Sequence, residues 1–223
     1  LVVTMFVAAS HVAGQGKSEP SRTAWGTPDL MGVWSGSTLT PLERPSDLGA
    51  REFLTDQEVE ARVSRAHPTE GRETATPSRP VGTYNRFWYD PVFSVLPDRR
   101  ASLIVDPADG QIPYTLKGRE YFDVSDARYG LGPYDSFVDL DTGERCITDG
   151  LPLRFSGYNS SYQIFQTADY VAILGEMFRD LRIIPLDGRP HGTITQWLGD
   201  GRGRWEENTL VVETTMFADK LDY

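Results

Sequence analysis

From Ser161 to Phe217, short runs of β-branched, aromatic and aliphatic residues alternate with Gly, Asp and Pro turns, and no other feature constrains the fold as much. Tyr162-Gln163-Ile164-Phe165-Gln166-Thr167 passes through Ala168-Asp169 into Tyr170-Val171-Ala172-Ile173-Leu174. Leu181 to Leu186 and Thr193 to Leu198 follow, then a Gly199-to-Gly203 turn, Trp205, and Thr209 to Phe217 after Glu207-Asn208. These runs are too short for helices, and their spacing is that of neighbouring antiparallel strands. The expected fold is mainly β, an antiparallel barrel or sandwich, with one or two helices in the N-terminal half. No βαβ alternation and no internal repeat is visible.

The N-terminal half is organised differently. Asp29 to Trp34 opens a first strand running towards Thr38. Leu54-Thr55-Asp56-Gln57-Glu58-Val59 combines a capping box, Thr55 with Glu58, and a hydrophobic staple of Leu54 on Val59. This predicts a helix to about Arg65, supported by the Glu58–Arg62 pair and stopped by His67-Pro68. Residues 66–83 are rich in Pro, Thr, Arg and Glu and read as a solvated loop. Ser102 to Asp106, a turn at Pro107-Ala108-Asp109-Gly110, and Gln111 to Tyr114 suggest a hairpin, and residues 116–128 a helix. The domain reading is a leader over 1–14, a linker over 15–28, and one mainly-β domain over 29–223. A helical and loop insert occupies about 54–130 of that domain.

Leu1 to Ala13 is apolar and uncharged, and the polar Gly14-Gln15-Gly16-Lys17 follows. That is too short to span a bilayer, which needs about 20 apolar residues. It suits the apolar and cleavage regions of a secretory signal peptide, and the expected location is secreted or periplasmic. An N-terminal strand is the competing reading. At the other end, Thr209 to Phe217 is a strong strand whose unpaired edge would need cover, so further strands are expected after Tyr223 and the barrel is expected to be incomplete.

Composition removes several classes of function. With 22 Lys+Arg against 32 Asp+Glu the formal net charge is −10, which argues against nucleic-acid binding. One Cys rules out a disulfide framework, and three His leave little for a histidine-rich metal centre. No phosphate loop, dinucleotide fingerprint, zinc-protease helix or nucleophile elbow occurs. Asp139 to Glu144 begins like a calcium loop, but Gly150 stands where the twelfth-position Glu should be. The reading therefore assigns no metal, no cofactor and no membrane span to the mature chain, and leaves the oligomeric state open.

The segment Arg182-Ile183-Ile184-Pro185-Leu186-Asp187-Gly188-Arg189-Pro190-His191 carries the main candidates. An apolar strand delivers Asp187, Arg189 and His191 into one loop. Asp187 or Asp180 would orient the His191 imidazole for proton transfer, and Arg189 would hold an anionic group. The competing reading is a rigid turn with Arg189 bridged to a carboxylate. Glu176, Tyr158, Tyr162, Trp88 and Trp34 are candidate ligand contacts, the aromatics as walls of a pocket for a sugar or aromatic molecule. Cys146 beside Arg145 reads as a small hydrophobe more than as a nucleophile.

Glu144-Arg145-Cys146-Ile147-Thr148, Gly157-Tyr158-Asn159, Tyr162 to Thr167, Ile183 to His191, Gln196 to Asp200, Gly203 to Glu206 and Thr209 to Thr215 together resemble a family of secreted hypothetical proteins from environmental bacteria. No established activity attaches to that family, and the resemblance covers about Pro28 to the end. It implies export and further C-terminal strands. The chain departs from the family pattern at Arg179-Asp180, where a His-acid pair is common, and at Met216, where Asn is usual. Gly32-Val33-Trp34 is also similar to the G-x-W of lipocalin-type, calycin-like barrels, in which the Trp closes one end.

Three functions remain in play. The first is an exported β-barrel binding a small, partly aromatic or apolar ligand. The second is a cofactor-free hydrolase or lyase using His191. The third is an envelope interaction module offering a sheet edge to another protein.

Overall fold

A computed structural model describes residues 3–8, 20–66, 94–128, 134–148 and 159–218. Trp88, Tyr158, the aromatic run 84–89 and all but the first residue of the loop expected over 66–83 lie outside these residues. The chain forms two compact units: residues 1–35, 118–154 and 161–223 make the first, and 36–117 with 155–160 the second.

In the first unit, strands β1 (Val3–Ala8), β2 (Gly32–Ser35), β3 (Ser161–Gln166), β4 (Tyr170–Gly175), β5 (Leu181–Pro185), β6 (Asp200–Glu206) and β7 (Thr209–Thr215) build two antiparallel sheets. Their orders are β2-β3-β4-β5 and β1-β7-β6. The mainly-β, antiparallel expectation holds in this form, and no sheet closes on itself among the described residues. Strand β7 is central in its sheet, with β6 on one side and the backbone of β1 on the other.

Period-two alternation sets the inner face. Tyr162, Ile164 and Gln166 of β3 are buried while Gln163 and Phe165 are exposed, and Val171, Ile173 and Gly175 of β4 repeat the pattern. Leu30, Tyr162, Ile164, Val171, Ile173, Ile184, Leu210 and Val212 form one core from both sheets, with Trp34, Leu186 and Trp205 packed against it. Each fully buried aliphatic chain contributes about 1.5–3 kcal/mol. The sheets approach closely where β6 carries Gly201 and Gly203. A Cβ at Gly203 would lie 2.6 Å from Leu186 Cδ2 and 2.8 Å from Ile184 Cγ2. Gln166 fastens the entering arm, donating to Thr27 Oγ1 and Pro28 O at 3.0 Å each and accepting from Leu30 N at 2.9 Å.

Two local expectations change here. The Gly199-to-Gly203 segment is mostly strand: β6 begins at Asp200, and the reversal lies at Glu207-Asn208, where Glu207 has φ 53°. Glycines that read as a turn are instead residues without side chains under Ile184. Thr193 to Leu198 is not a strand; Gln196 bridges to Phe217, Leu198 O accepts from Arg182 Nη1, and the Trp197 ring lies under Arg145.

The second unit holds α1 (Asp56–Ala66), and α2 (Leu116–Arg128) begins at the unit's end. The capping box forms as expected: Glu58 N donates to Thr55 Oγ1 at 3.3 Å, and Thr55 N to Glu58 Oε2 at 2.9 Å. Leu54 lies in a small core with Leu48, Val95 and Ala101, and Val59 packs against that core. The hairpin expected over 102–114 does not form. Leu103 N and Ile104 N donate instead to Pro41 O and Leu42 O, while Pro107 to Gly110 keeps its turn. Gly110 fits under that turn because a Cβ there would meet Ser102 Oγ at 2.7 Å and Arg44 Cβ at 3.0 Å.

Candidate functional site

The candidate side chains of the first unit gather in three places. The first is the loop after β5. Asp187 and Arg189 close on each other: Arg189 Nε donates to both carboxylate oxygens at 2.9 and 2.8 Å, its Nη2 also meets Oδ2, and the same Nη2 donates to Tyr170 OH at 2.9 Å. The guanidinium lies over the Tyr170 ring, 5.6 Å from the centroid. The Arg189 side-chain hydrogen bonds hold the Asp187 carboxyl down at about 2, with the Arg189 amide as a further donor. Asp187 is thereby committed to Arg189 and not to His191. This is the rigid turn the sequence also allowed.

His191 has other neighbours. Its Nε2 stands 3.3 Å from Glu213 Oε1 and its Nδ1 3.6 Å from Asp200 Oδ2. Nδ1 is buried and has no hydrogen-bond partner. Asp200 and Arg202 are two apart on β6 and share a face, and Arg202 stands opposite Glu213 in the β6–β7 register. That face turns away from the core, because Gly201 and Gly203 between them lie on Ile184. Arg202 clips the loop down by donating to Pro190 O at 2.8 Å, and Gly192 N donates to Asp200 Oδ2 at 2.7 Å. Burial would push the Asp200 carboxyl up, but the Gly192 amide, Arg202 and His191 outweigh it, and its pKa lies below the ordinary range.

The third place is one end of the inner face. In register, Trp34 stands opposite Tyr162, and Tyr162 opposite Gly175. Gly175 N donates to Asp180 O at 2.9 Å. One row further in stand Ile164, Ile173 and Arg182. The Trp34 indole donates to Leu30 O at 2.8 Å and packs on the core. Asp180 accepts from Thr148 Oγ1 at 2.5 Å. Burial raises the Asp180 pKa, with Thr148 and the Arg182 charge pulling the other way. Arg182 donates from Nη1 to Leu198 O at 3.1 Å, and burial brings its pKa down to about 10 against the opposing pull of Asp180 and Tyr162.

Of the expected residues, the structure groups Trp34, Tyr162 and Asp180 at this end. Arg189 and Asp187 form a separate clasp, His191 joins the outer face of β6–β7, and Glu176 is exposed with its amide on Ser161 O. Sequence reading passed over Arg182, Thr148, Asp200, Arg202 and Glu213. Arg182 carries no such signal in the sequence, because it shares an inward face with Ile184 only once pairing with β4 sets the register.

Cys146 is exposed, and Arg145 beside it stacks on Phe137 and Trp197 at 5.4 and 5.7 Å. Among the described residues no group of His, Cys, Asp and Glu is arranged to hold a metal ion, and no helix is long and apolar enough to cross a membrane. The chain matches no family model, no curated protein and no solved structure.

Proposed function

We propose that this is an exported binding protein for a small, partly aromatic or apolar molecule, carried on a calycin-like β-barrel or sandwich. The supporting observation is the composition of one end of the inner face. Trp34 and Tyr162 stand side by side there, next to the side-chain-free Gly175, and a desolvated Arg182 lies one row further in. Packing alone explains apolar and aromatic residues on such a face. It does not explain an arginine, because desolvating a cation costs several kcal/mol and the Asp180 and Tyr162 charges offset only part of it.

Aromatic side chains beside a few placed polar groups are the usual lining of a small-molecule site. The sequence resemblance to secreted bacterial proteins supports export. A hydrolase or lyase built on His191 is the weaker proposal. Both imidazole nitrogens face carboxylates, so neither is directed at a substrate.

A thermal-shift screen against small aromatic and aliphatic metabolites tests the reading, since a ligand that binds only the folded state raises the apparent Tm. Hits should lose their shift in Trp34→Ala and Tyr162→Ala and keep it in His191→Ala. Shifts that survive both aromatic substitutions would place the ligand elsewhere.

A further inference from the structure

Among the described residues the Arg182 side chain has more bonding capacity than is used. A guanidinium has five N–H donors in a planar fork. Among the described residues Arg182 makes one hydrogen bond, to Leu198 O at 3.1 Å, and no ion pair. Asp180, just before β5, has a carboxyl oxygen engaged by Thr148 and acts on Arg182 through its charge without an ion pair. The register sets Arg182 against Ile173, on the same face as Ile184 and Tyr162, so its charge stands at the border of the apolar core and not in bulk solvent.

We infer that Arg182 is the anion-recognising group of the inner-face site, and that the ligand class is a small aromatic or apolar monocarboxylate. This rests on the binding function proposed above and adds the charge and shape of the ligand. A planar carboxylate matches the guanidinium fork with two parallel N–H···O bonds. Its apolar body then meets Trp34 and the Tyr162 ring, which reaches within 3.4 Å of where a Gly175 Cβ would stand. Arg182 brings one positive charge, part of which the Asp180 charge already faces, so a monoanion fits better than a phosphate dianion. Arg189 does not compete for this role because Asp187 and Tyr170 occupy it.

The test uses a matched pair of probes, 2-naphthoate and 2-naphthamide, titrated into the full chain with calorimetry as the readout. The wild type should bind the carboxylate at least tenfold more tightly than the amide. Arg182→Met should equalise the two, and Arg182→Lys, which keeps the charge but loses the fork, should fall between them. A circular-dichroism melt shows which variants fold; if the Met variant does not, Arg182→Lys and Arg182→Gln carry the comparison. Equal binding of both probes by the wild type would overturn the anion assignment and leave the binding function standing. A carboxylate preference that persists in the Arg182 variants would overturn it too. Binding of neither probe by a folded wild type would count against both.

Discussion

Two glycines on β6, two residues apart and facing the same way, give a sharp test of how the sheets pack. At Gly201 an added Cβ would meet Ile184 Cγ1 at 3.5 Å, Val212 Cγ1 at 3.7 Å and Thr214 Oγ1 at 3.8 Å, which is ordinary contact. At Gly203 it would sit 2.6 Å from Leu186 Cδ2 and 2.8 Å from Ile184 Cγ2. Leu186 is half-buried and its far methyl can swing away. Ile184 cannot, because it is 2% exposed and its Cγ2 is fixed by the β-branch.

Gly201→Ala should therefore be neutral or stabilising by about 0.4–1 kcal/mol, since the alanine restricts the unfolded chain. Gly203→Ala gains the same term but overpacks the core, at about 1–3 kcal/mol. The two variants should differ by about 1–3 kcal/mol, or about 2–12 °C in Tm for a chain of this size. Urea and thermal melts of both proteins, run side by side, provide the measurement. If the two melt together, β6 does not lie on β5 as described, and the assignment of the inner face falls with it.

Other expectations follow from single contacts. Gln166→Leu leaves Pro28 O and Leu30 N buried without partners and should cost about 3 kcal/mol, read from a denaturant melt. The Asp187 carboxyl, held at about 2 by Arg189, should titrate near there by NMR and return to the ordinary aspartate range in Arg189→Gln. Because its folded pKa is lowered, the stabilisation from this clasp is complete above the ordinary range and is lost as pH falls towards 2. His191→Ala removes a partly buried contact with two carboxylates. It should leave the fold intact with a stability change under about 1 kcal/mol, and a complete loss of some measured turnover would instead revive the enzyme reading.

Much of the architecture is legible in residue patterns that act locally. The capping box at Thr55 and Glu58 and the staple of Leu54 on Val59 are complete within six residues, and both form. Strands β3, β4 and β7 are equally plain as short runs rich in β-branched, aromatic and aliphatic residues. The failures occur where a local pattern has two solutions. Gly199 to Gly203 has turn chemistry, yet Gly201 and Gly203 are needed for close approach of the sheets. Ser102 to Tyr114 contains a good turn, but its flanking amides find nearer carbonyls at Pro41 and Leu42 than in each other.

The candidate site divides the same way. Leu181-Arg182-Ile183-Ile184 is apolar at three of four positions, so sequence alone does not say whether Ile183 or Ile184 points inward. Pairing with β4 decides it: Ile184 meets the fully buried Val171, Ile183 faces out at 59% exposure, and Arg182 is carried inward with Ile184. Likewise Asp187, Arg189 and His191 are adjacent in sequence but part company in space. Asp187 is taken by the arginine two residues away, while His191 reaches Asp200 and Glu213, which only the β6–β7 register brings together. The strand-rich character and the local caps are legible from residue order alone, because they depend on neighbours along the chain. Tertiary structure decided which charged groups meet, because that depends on strand register and on which face each residue presents.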